Sequence, residues 1–381
     1  MKITDLRLRF AKHYLFVEID TDAGITGLGE AGNWGFLSST ADAIMKFKPY
    51  LIGKDPFNAE DISQNLYRAV YFRGSVIMSA ISAIDIACWD IKGKALGVPV
   101  WQLLGGRTRE KVRVYASVMS KSEDLHELAD SYRELQAQGF NAAKIFVNGP
   151  VNSKDGFDEF YSGRVEDELE KVRVIREAVG PHFDFILEAH RGMDVPTAVT
   201  FGREVEKYRP MVFEDPVTPD NIDTMAQVAD KVNIPIATGE RFANIREFEM
   251  LMRRTAVRYI RPDVCAVGGI TATKKIAAMA EGNDVLLIPH NPLGPVSTAA
   301  CLQICACIPN LGIQELPGFC LNGAEDAMVK EPLKCENGFM VIPDAPGIGV
   351  ELADNAEELY PAKERGSNVA HRSFDGSVKD W

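Results

Sequence analysis

Between residues 183 and 316 the chain repeats one pattern, in which a short apolar run ends in a carboxylate or an imidazole. Phe185-Ile186-Leu187 runs into Glu188-Ala189-His190, and Met211-Val212-Phe213 into Glu214-Asp215-Pro216. Ile234-Pro235-Ile236-Ala237 leads to Glu240-Arg241, and Tyr259-Ile260 to Arg261-Pro262-Asp263. Val285 to Ile288 ends in Pro289-His290, and Gly312-Ile313-Gln314 in Glu315. The polar ends step by 23 to 27 residues, the length of one strand–loop–helix–loop unit. Apolar runs separated by helical patterns read as buried parallel strands. A polar group at the C-terminal end of each successive strand is how a (β/α)8 barrel gathers a site on one face.

At 381 residues the chain is long enough for such a barrel and a second, smaller domain. A net charge of −12 argues against nucleic acid or an anionic membrane as a partner. It does not exclude an anionic substrate, because a divalent cation inverts the local field. The first residues carry no apolar signal-like core, and no run approaches the ~18 apolar residues of a membrane span, so a cytoplasmic location is expected. Seven cysteines without a CxxC pair read as buried thiols in a reducing compartment.

Three regions are expected. Residues 1–110 form an α+β capping domain: strands at Lys2 to Arg9, Tyr14 to Asp20 and Ile25 to Gly29, then helices at Ser39 to Ile52, Glu60 to Ala69 and Val76 to Leu96. Between strand and helix lies the loop Glu30 to Phe36, whose Trp34 sits among glycines and suits a lid over a pocket, or a ring folded back on its own domain. Residues 111–317 form the barrel, opening with a strand at Val112 to Val118, a helix at Asp124 to Gln138, a strand at Ala142 to Val147, and a helix at Arg164 to Val179. A polar insertion, 148–163, precedes that last helix, and Tyr161 and Arg164 mark it as a specificity loop. Six further strand–helix units carry the chain to Pro317. The tail 318–381, strand-like at Phe339 to Ile342, is too short for its own core and is expected to pack back on the capping domain.

Glu188, Glu214 and Glu240 end three successive strands. Neighbouring strands lie roughly 4.8 Å apart, so the three carboxylates can converge on one ion. All-oxygen ligation suits Mg2+, and no cysteine or histidine is placed to recruit zinc. His290 follows Asp263 by one strand, which makes the pair a base dyad, because the carboxylate fixes the imidazole tautomer and raises its basicity. His190, across the barrel, is a candidate acid. Lys144 is either a ligand for a substrate carboxylate or a snorkelling barrel lysine. Arg241, beside Glu240, and Trp34 are further candidates for substrate contact.

These residues, with Tyr71-Phe72-Arg73-Gly74, Asp85 to Lys94, Trp101 to Gly106, Gly268-Gly269-Ile270-Thr271 and Pro289 to Pro295, resemble the enolase superfamily over essentially the whole chain. The likeness is to its mandelate racemase subgroup, and within that to the D-galactonate dehydratase-like acid sugar dehydratases. The resemblance implies that Glu188, Glu214 and Glu240 bind Mg2+ and that His290, paired with Asp263, removes the proton α to a carboxylate. It implies that His190 helps the β-hydroxyl leave as water and that Glu315 steadies the enediolate, for which its carboxyl would have to be protonated. It also implies a symmetric homo-oligomer. Where those dehydratases carry Asp-Phe-His-Gly-Arg, this chain has Glu188-Ala189-His190-Arg191-Gly192. The first ligand is longer by a methylene, and Arg and Gly have traded places, changes that bear on specificity. Phe146 stands where the racemases carry a second lysine.

The expected activity is a Mg2+-dependent dehydratase that converts an aldonate such as galactonate, gluconate or mannonate to its 2-keto-3-deoxy acid. The alternatives are an epimerase, racemase or cycloisomerase of such acids on the same scaffold, or an impaired homologue that binds them without turnover.

Overall fold

The computed structural model describes residues 1–117, 122, 124–147, 161–254, 257–363, 376 and 378. The chain begins with the antiparallel meander β1 (Ile3–Ala11), β2 (Tyr14–Thr21) and β3 (Thr26–Ala31). Helices α1 (Leu37–Leu51), α2 (Ala59–Ala69), α3 (Ser75–Leu96) and the short α4 (Val100–Leu103) follow. α3 is apolar on nearly every side, as a helix enclosed between neighbours must be. β3 lies on it almost backbone to backbone: a Cβ at Gly29 would come within 2.0 Å of the Ala83 carbonyl oxygen, and one at Gly27 within 2.2 Å of that of Ala87. Only glycine permits that approach.

Then come β4 (Lys111–Ser117), α5 (Leu125–Ala137), β5 (Ala142–Phe146), α6 (Tyr161–Val179), β6 (Asp184–Glu188), α7 (Val195–Val205), β7 (Val212–Glu214) and α8 (Ile222–Ala229). β8 (Ile236–Thr238), α9 (Ile245–Arg254), β9 (Tyr259–Ile260), α10 (Gly269–Glu281), β10 (Leu286–Leu287), α11 (Pro295–Cys307) and β11 (Gln314–Pro317) complete the series. Strands β4 to β10 pair in sequence, all parallel, and β11 pairs with β4. A bridge between Leu287 and Leu311 closes the ring, giving the barrel that the repeat implied. The last strand departs from the expected unit. It is followed only by the four-residue α12 (Phe319–Asn322), which ends at Gly323 in a left-handed conformation, so no full helix covers it.

The two-residue period of the strands sets the interior. Tyr115, Ala142, Ile186, Val212, Ala237, Ile288 and Ile313 fill the barrel as one buried layer. Phe185, Leu187, Phe213 and Ile145 point outward into the larger core under the helices. α11 is buried along its whole length, and Cys301, Cys305 and Cys307 sit there as free thiols, as expected for small apolar fillers.

The tail does more than complete the capping region. β12 (Cys335–Glu336) and β13 (Phe339–Val341) form a hairpin that pairs antiparallel with β4 of the barrel. Beyond it, the Ile348 amide donates to Asp90 of α3, and α13 (Ala356–Leu359) lies against β1. The tail therefore spans both regions, where only the capping region was expected. Among the described residues no helix is long and apolar enough to cross a membrane.

Candidate active site

The inward layer predicts where the polar groups must lie, because a residue two positions beyond an inward residue points inward again. Two past Ala142 is Lys144, two past Ile186 is Glu188, and two past Val212 is Glu214. Two past Tyr259 is Arg261, two past Ile288 is His290, and two past Ile313 is Glu315. Glu240 enters by a different route, through Gly239, which turns the chain after β8 with φ +121. The result is a polar storey above the apolar one, at the C-terminal ends of the strands, where barrel sites form.

Glu188 and Glu214 are register partners across β6 and β7. One oxygen from each of Glu188, Glu214 and Glu240 lies within 4.8 Å of the other two. Lys144 Nζ lies 2.9 Å from Glu188, 2.9 Å from Glu214 and 3.3 Å from Glu315. Arg261, fully buried, donates to Glu315 at 2.7 Å and to the Tyr115 hydroxyl at 2.9 Å, and sits 2.9 Å from Glu214. Arg191 donates to Glu240 at 2.5 Å and reaches Asp215 at 3.4 Å. Six buried or nearly buried carboxylates (Glu188, Glu214, Asp215, Glu240, Asp263, Glu315) thus face three permanent cations.

Across the cluster, His290 Nδ1 lies 2.9 Å from Asp263 Oδ2, while Nε2 faces Glu240 at 3.5 Å. The second Asp263 oxygen accepts from the Cys265 amide at 2.7 Å, so the carboxylate is fixed at both ends. A proton held on Nδ1 in this way leaves Nε2 as the acceptor. Burial lowers the His290 pKa, but Glu240 and Asp263 outweigh it and raise the value above the ordinary histidine range. His190 is the opposite case. Burial and then the adjacent Arg191 depress it to about 4. One Arg191 nitrogen is 3.0 and 2.9 Å from the two ring nitrogens of His190, and both residues hold left-handed φ values of 47° and 65°.

The carboxyls separate in the same manner. Burial drives Glu214 well above the ordinary carboxyl range, and Glu188 beside it adds to the rise. Burial would also raise Glu240 and Glu315; positive neighbours override it. His290 and Arg191 hold Glu240 well below its usual value, and Lys144 and Arg261 do the same for Glu315. Lys144 and Arg261 thus favour the charged form of Glu315, and burial with Arg191 favours the neutral ring of His190.

Lys144, Trp34, Arg241, His190, His290, Asp263 and Glu315 all line one cavity of about 1050 Å³. Trp34 is half-buried, its ring centre 6.3 Å from that of His290, while Arg241 is exposed at the mouth. Lys144, expected either to bind a substrate carboxylate or to snorkel, is buried and bridges three glutamates. Of the insertion 148–163, residues 148–160 lie outside the described residues. Arg261, Arg191 and Tyr115 were not singled out as site residues. Arg261 carried a usable signal, a charge at an inward position just after a buried strand; Tyr115 carried none beyond its apolar surroundings.

The donor set fits a hard divalent cation. Its three candidate ligands are all carboxylate oxygens, the form that Mg2+ prefers. Glu214 Oε2 is buried with no hydrogen-bond partner, an orphaned acceptor that an ion would satisfy.

Comparison with known proteins matches residues 7–105 to the mandelate racemase / muconate lactonizing enzyme N-terminal domain and residues 127–356 to the enolase C-terminal domain-like family. A D-galactonate dehydratase of Ralstonia pickettii is 37% identical, and one of Pectobacterium atrosepticum 38%, each over 100% of both chains. A crystal structure of a member of the enolase superfamily from Salmonella Typhimurium superposes with a TM-score of 0.88 at 34% identity. That match covers 94% of this chain and 98% of the other.

Proposed function

Because the chain belongs to the mandelate racemase / muconate lactonizing enzyme family of the enolase superfamily, we propose that it dehydrates a sugar acid to a 2-keto-3-deoxy acid. The enzyme is a carbon–oxygen hydro-lyase. The observation that carries this reading is the His290–Asp263 pair facing three convergent glutamates across one cavity. End-to-end identity with D-galactonate dehydratases supports it.

The chemical problem is a very weakly acidic proton α to a carboxylate. Glu188, Glu214 and Glu240 would hold Mg2+. When bound, the ion supplies Lewis-acid stabilisation of the charge that develops on the substrate carboxylate. Everything else falls to the chain's own residues. Lys144 lines the cavity and Arg261 lies buried against Glu214 and Glu315, and both supply fixed positive charge to the cluster. Asp263 orients His290 so that Nε2 takes the α-proton. The C3 hydroxyl then leaves as water, and the resulting enol becomes the 2-keto product. That departure needs a proton, which comes from His190 or from His290 once it has taken the α-proton.

His190 follows β6 and His290 follows β10, strands opposite each other in the ring, which favours one second reading: two-base epimerisation of the same acids. The test is turnover of aldonates and aldarates with Mg2+ in D2O, with semicarbazide detection of keto acid and mass analysis. Loss of one water establishes the dehydratase. Deuterium uptake without that loss establishes the epimerase and overturns dehydration.

A further inference from the structure

We propose that Glu30 is a positioning residue that ties the capping region to both loops of the His290–Asp263 dyad and so sets the dyad's geometry. Glu30 lies near the end of β3, fully buried, outside the carboxylate cluster. Its two oxygens accept from the Gly294 amide at 2.7 Å and the Ser297 amide at 2.8 Å, at the start of α11. A carboxyl there satisfies two otherwise unpaired amides of the helix start. The fit is tight from the barrel side too: a Cβ at Gly294 would stand 2.8 Å from Glu30 Oε1.

From this anchor two paths lead to the dyad. Ser297, whose amide Glu30 holds, donates through its hydroxyl to the side chain of Asn291 at 3.0 Å, and Asn291 follows His290 directly. Two residues past Glu30, the Gly32 amide donates to the Cys265 carbonyl at 3.0 Å, and the Cys265 amide holds Asp263 at 2.7 Å. Four residues past Glu30 is Trp34, near the His290 ring. The root of the Trp34 loop is therefore fastened to the segments after both dyad residues. The geometry that joins Asp263 to His290 depends on a carboxylate that belongs to neither.

A second tie between cap and barrel provides the control. Asp85 of α3 accepts from the Thr271 amide at 2.9 Å and the Thr271 hydroxyl at 2.5 Å, near the start of α10, with no hydrogen bond to either dyad residue or its neighbours Cys265 and Asn291. If Glu30 only glues the two regions, Glu30→Gln and Asp85→Asn will behave alike.

The positioning role rests on His290 being the base, so the test has an arm that needs no turnover. Steady-state kinetics and amide hydrogen exchange are compared for wild type, Glu30→Gln, Asp85→Asn and Gly294→Ala. The last displaces the same carboxylate from the other side. Glu30→Gln is expected to lower kcat about 10- to 100-fold with KM within about threefold, the scale of a dyad misplaced by a fraction of an ångström to an ångström. Exchange is expected to speed up over 291–298 and 264–267. Gly294→Ala should reproduce this pattern, and Asp85→Asn should speed exchange only around 271. Equal kcat losses in Glu30→Gln and Asp85→Asn, or an inert Gly294→Ala, overturn the proposal. If no acid is turned over by wild type, the proposed reaction fails while the exchange arm still decides: unchanged exchange over 291–298 and 264–267 in Glu30→Gln overturns the tie, and faster exchange there upholds it.

Discussion

At the scale of single residues, the site is governed by what stands beside each titratable group. His290 has two carboxylates for neighbours and His190 a guanidinium, and the same side chain is pushed in opposite directions. His290→Asn is therefore expected to abolish both α-proton exchange and dehydration. His190→Asn separates the two outcomes for the leaving hydroxyl: exchange without water loss makes His190 the acid, and retained dehydration gives both proton transfers to His290. Deuterium incorporation and keto-acid yield on the same samples read this directly. Lys144 poses a different question, because it is the ammonium among Glu188, Glu214 and Glu315. Lys144→Met leaves those buried carboxylates short of a cation, and breaking a buried pair from one side costs about 3–5 kcal/mol. Urea unfolding of metal-free protein should show that loss, and Mg2+ should recover part of it. Unchanged metal-free stability would sink this account of the lysine.

At the scale of elements, β3 and α11 meet through one buried carboxyl. Burial raises Glu30 to about 8, against the pull of the Ser297 and Gly294 amides, and the charges of Asp263 and Glu325 add to the rise. The folded protein therefore binds a proton that the unfolded chain releases near the ordinary carboxyl value, so this group's contribution to stability falls as pH climbs from about 4.5 to about 8. Glu30→Gln lacks that slope. Its melting temperature relative to wild type should rise steadily between pH 5 and pH 8, as measured by scanning fluorimetry. A difference that is flat across the window would contradict the buried-carboxyl account. Helix starts behave more simply, and sequence reading found one well: Asp124, expected to begin α5, is its N-cap and accepts from the His126 and Glu127 amides.

At the scale of the whole molecule, the barrel gathers more negative charge than its own cations balance, so a divalent cation should stabilise the folded state. Mg2+ at 100 times its dissociation constant would add about 2.7 kcal/mol by mass action. The melting temperature should rise with Mg2+, return with EDTA, and stop responding in Glu214→Gln. A melting curve indifferent to all three treatments would remove the metal from this site.

The barrel and the glutamate triad were legible without coordinates because buried runs with polar ends recur at the length of one strand–helix unit. A buried strand writes itself as an apolar run, and its end is marked by the first polar residue that must face the mouth. His290 with Asp263 was legible for the same reason, since consecutive parallel strands place their ends side by side. The cationic surroundings of Glu315 were not, because Lys144 and Arg261 come to it from 171 and 54 residues away. Nor was the contact of Arg191 with the His190 ring, where two consecutive residues hold left-handed φ values. The reach of the tail hairpin to β4 and the grip of Glu30 on α11 also stayed hidden. The sequence by itself determined which residues line up on each strand, since that is set by a repeat of two. Only the tertiary structure decided which charges face one another, since electrostatic neighbours are chosen by distance in space and not along the chain.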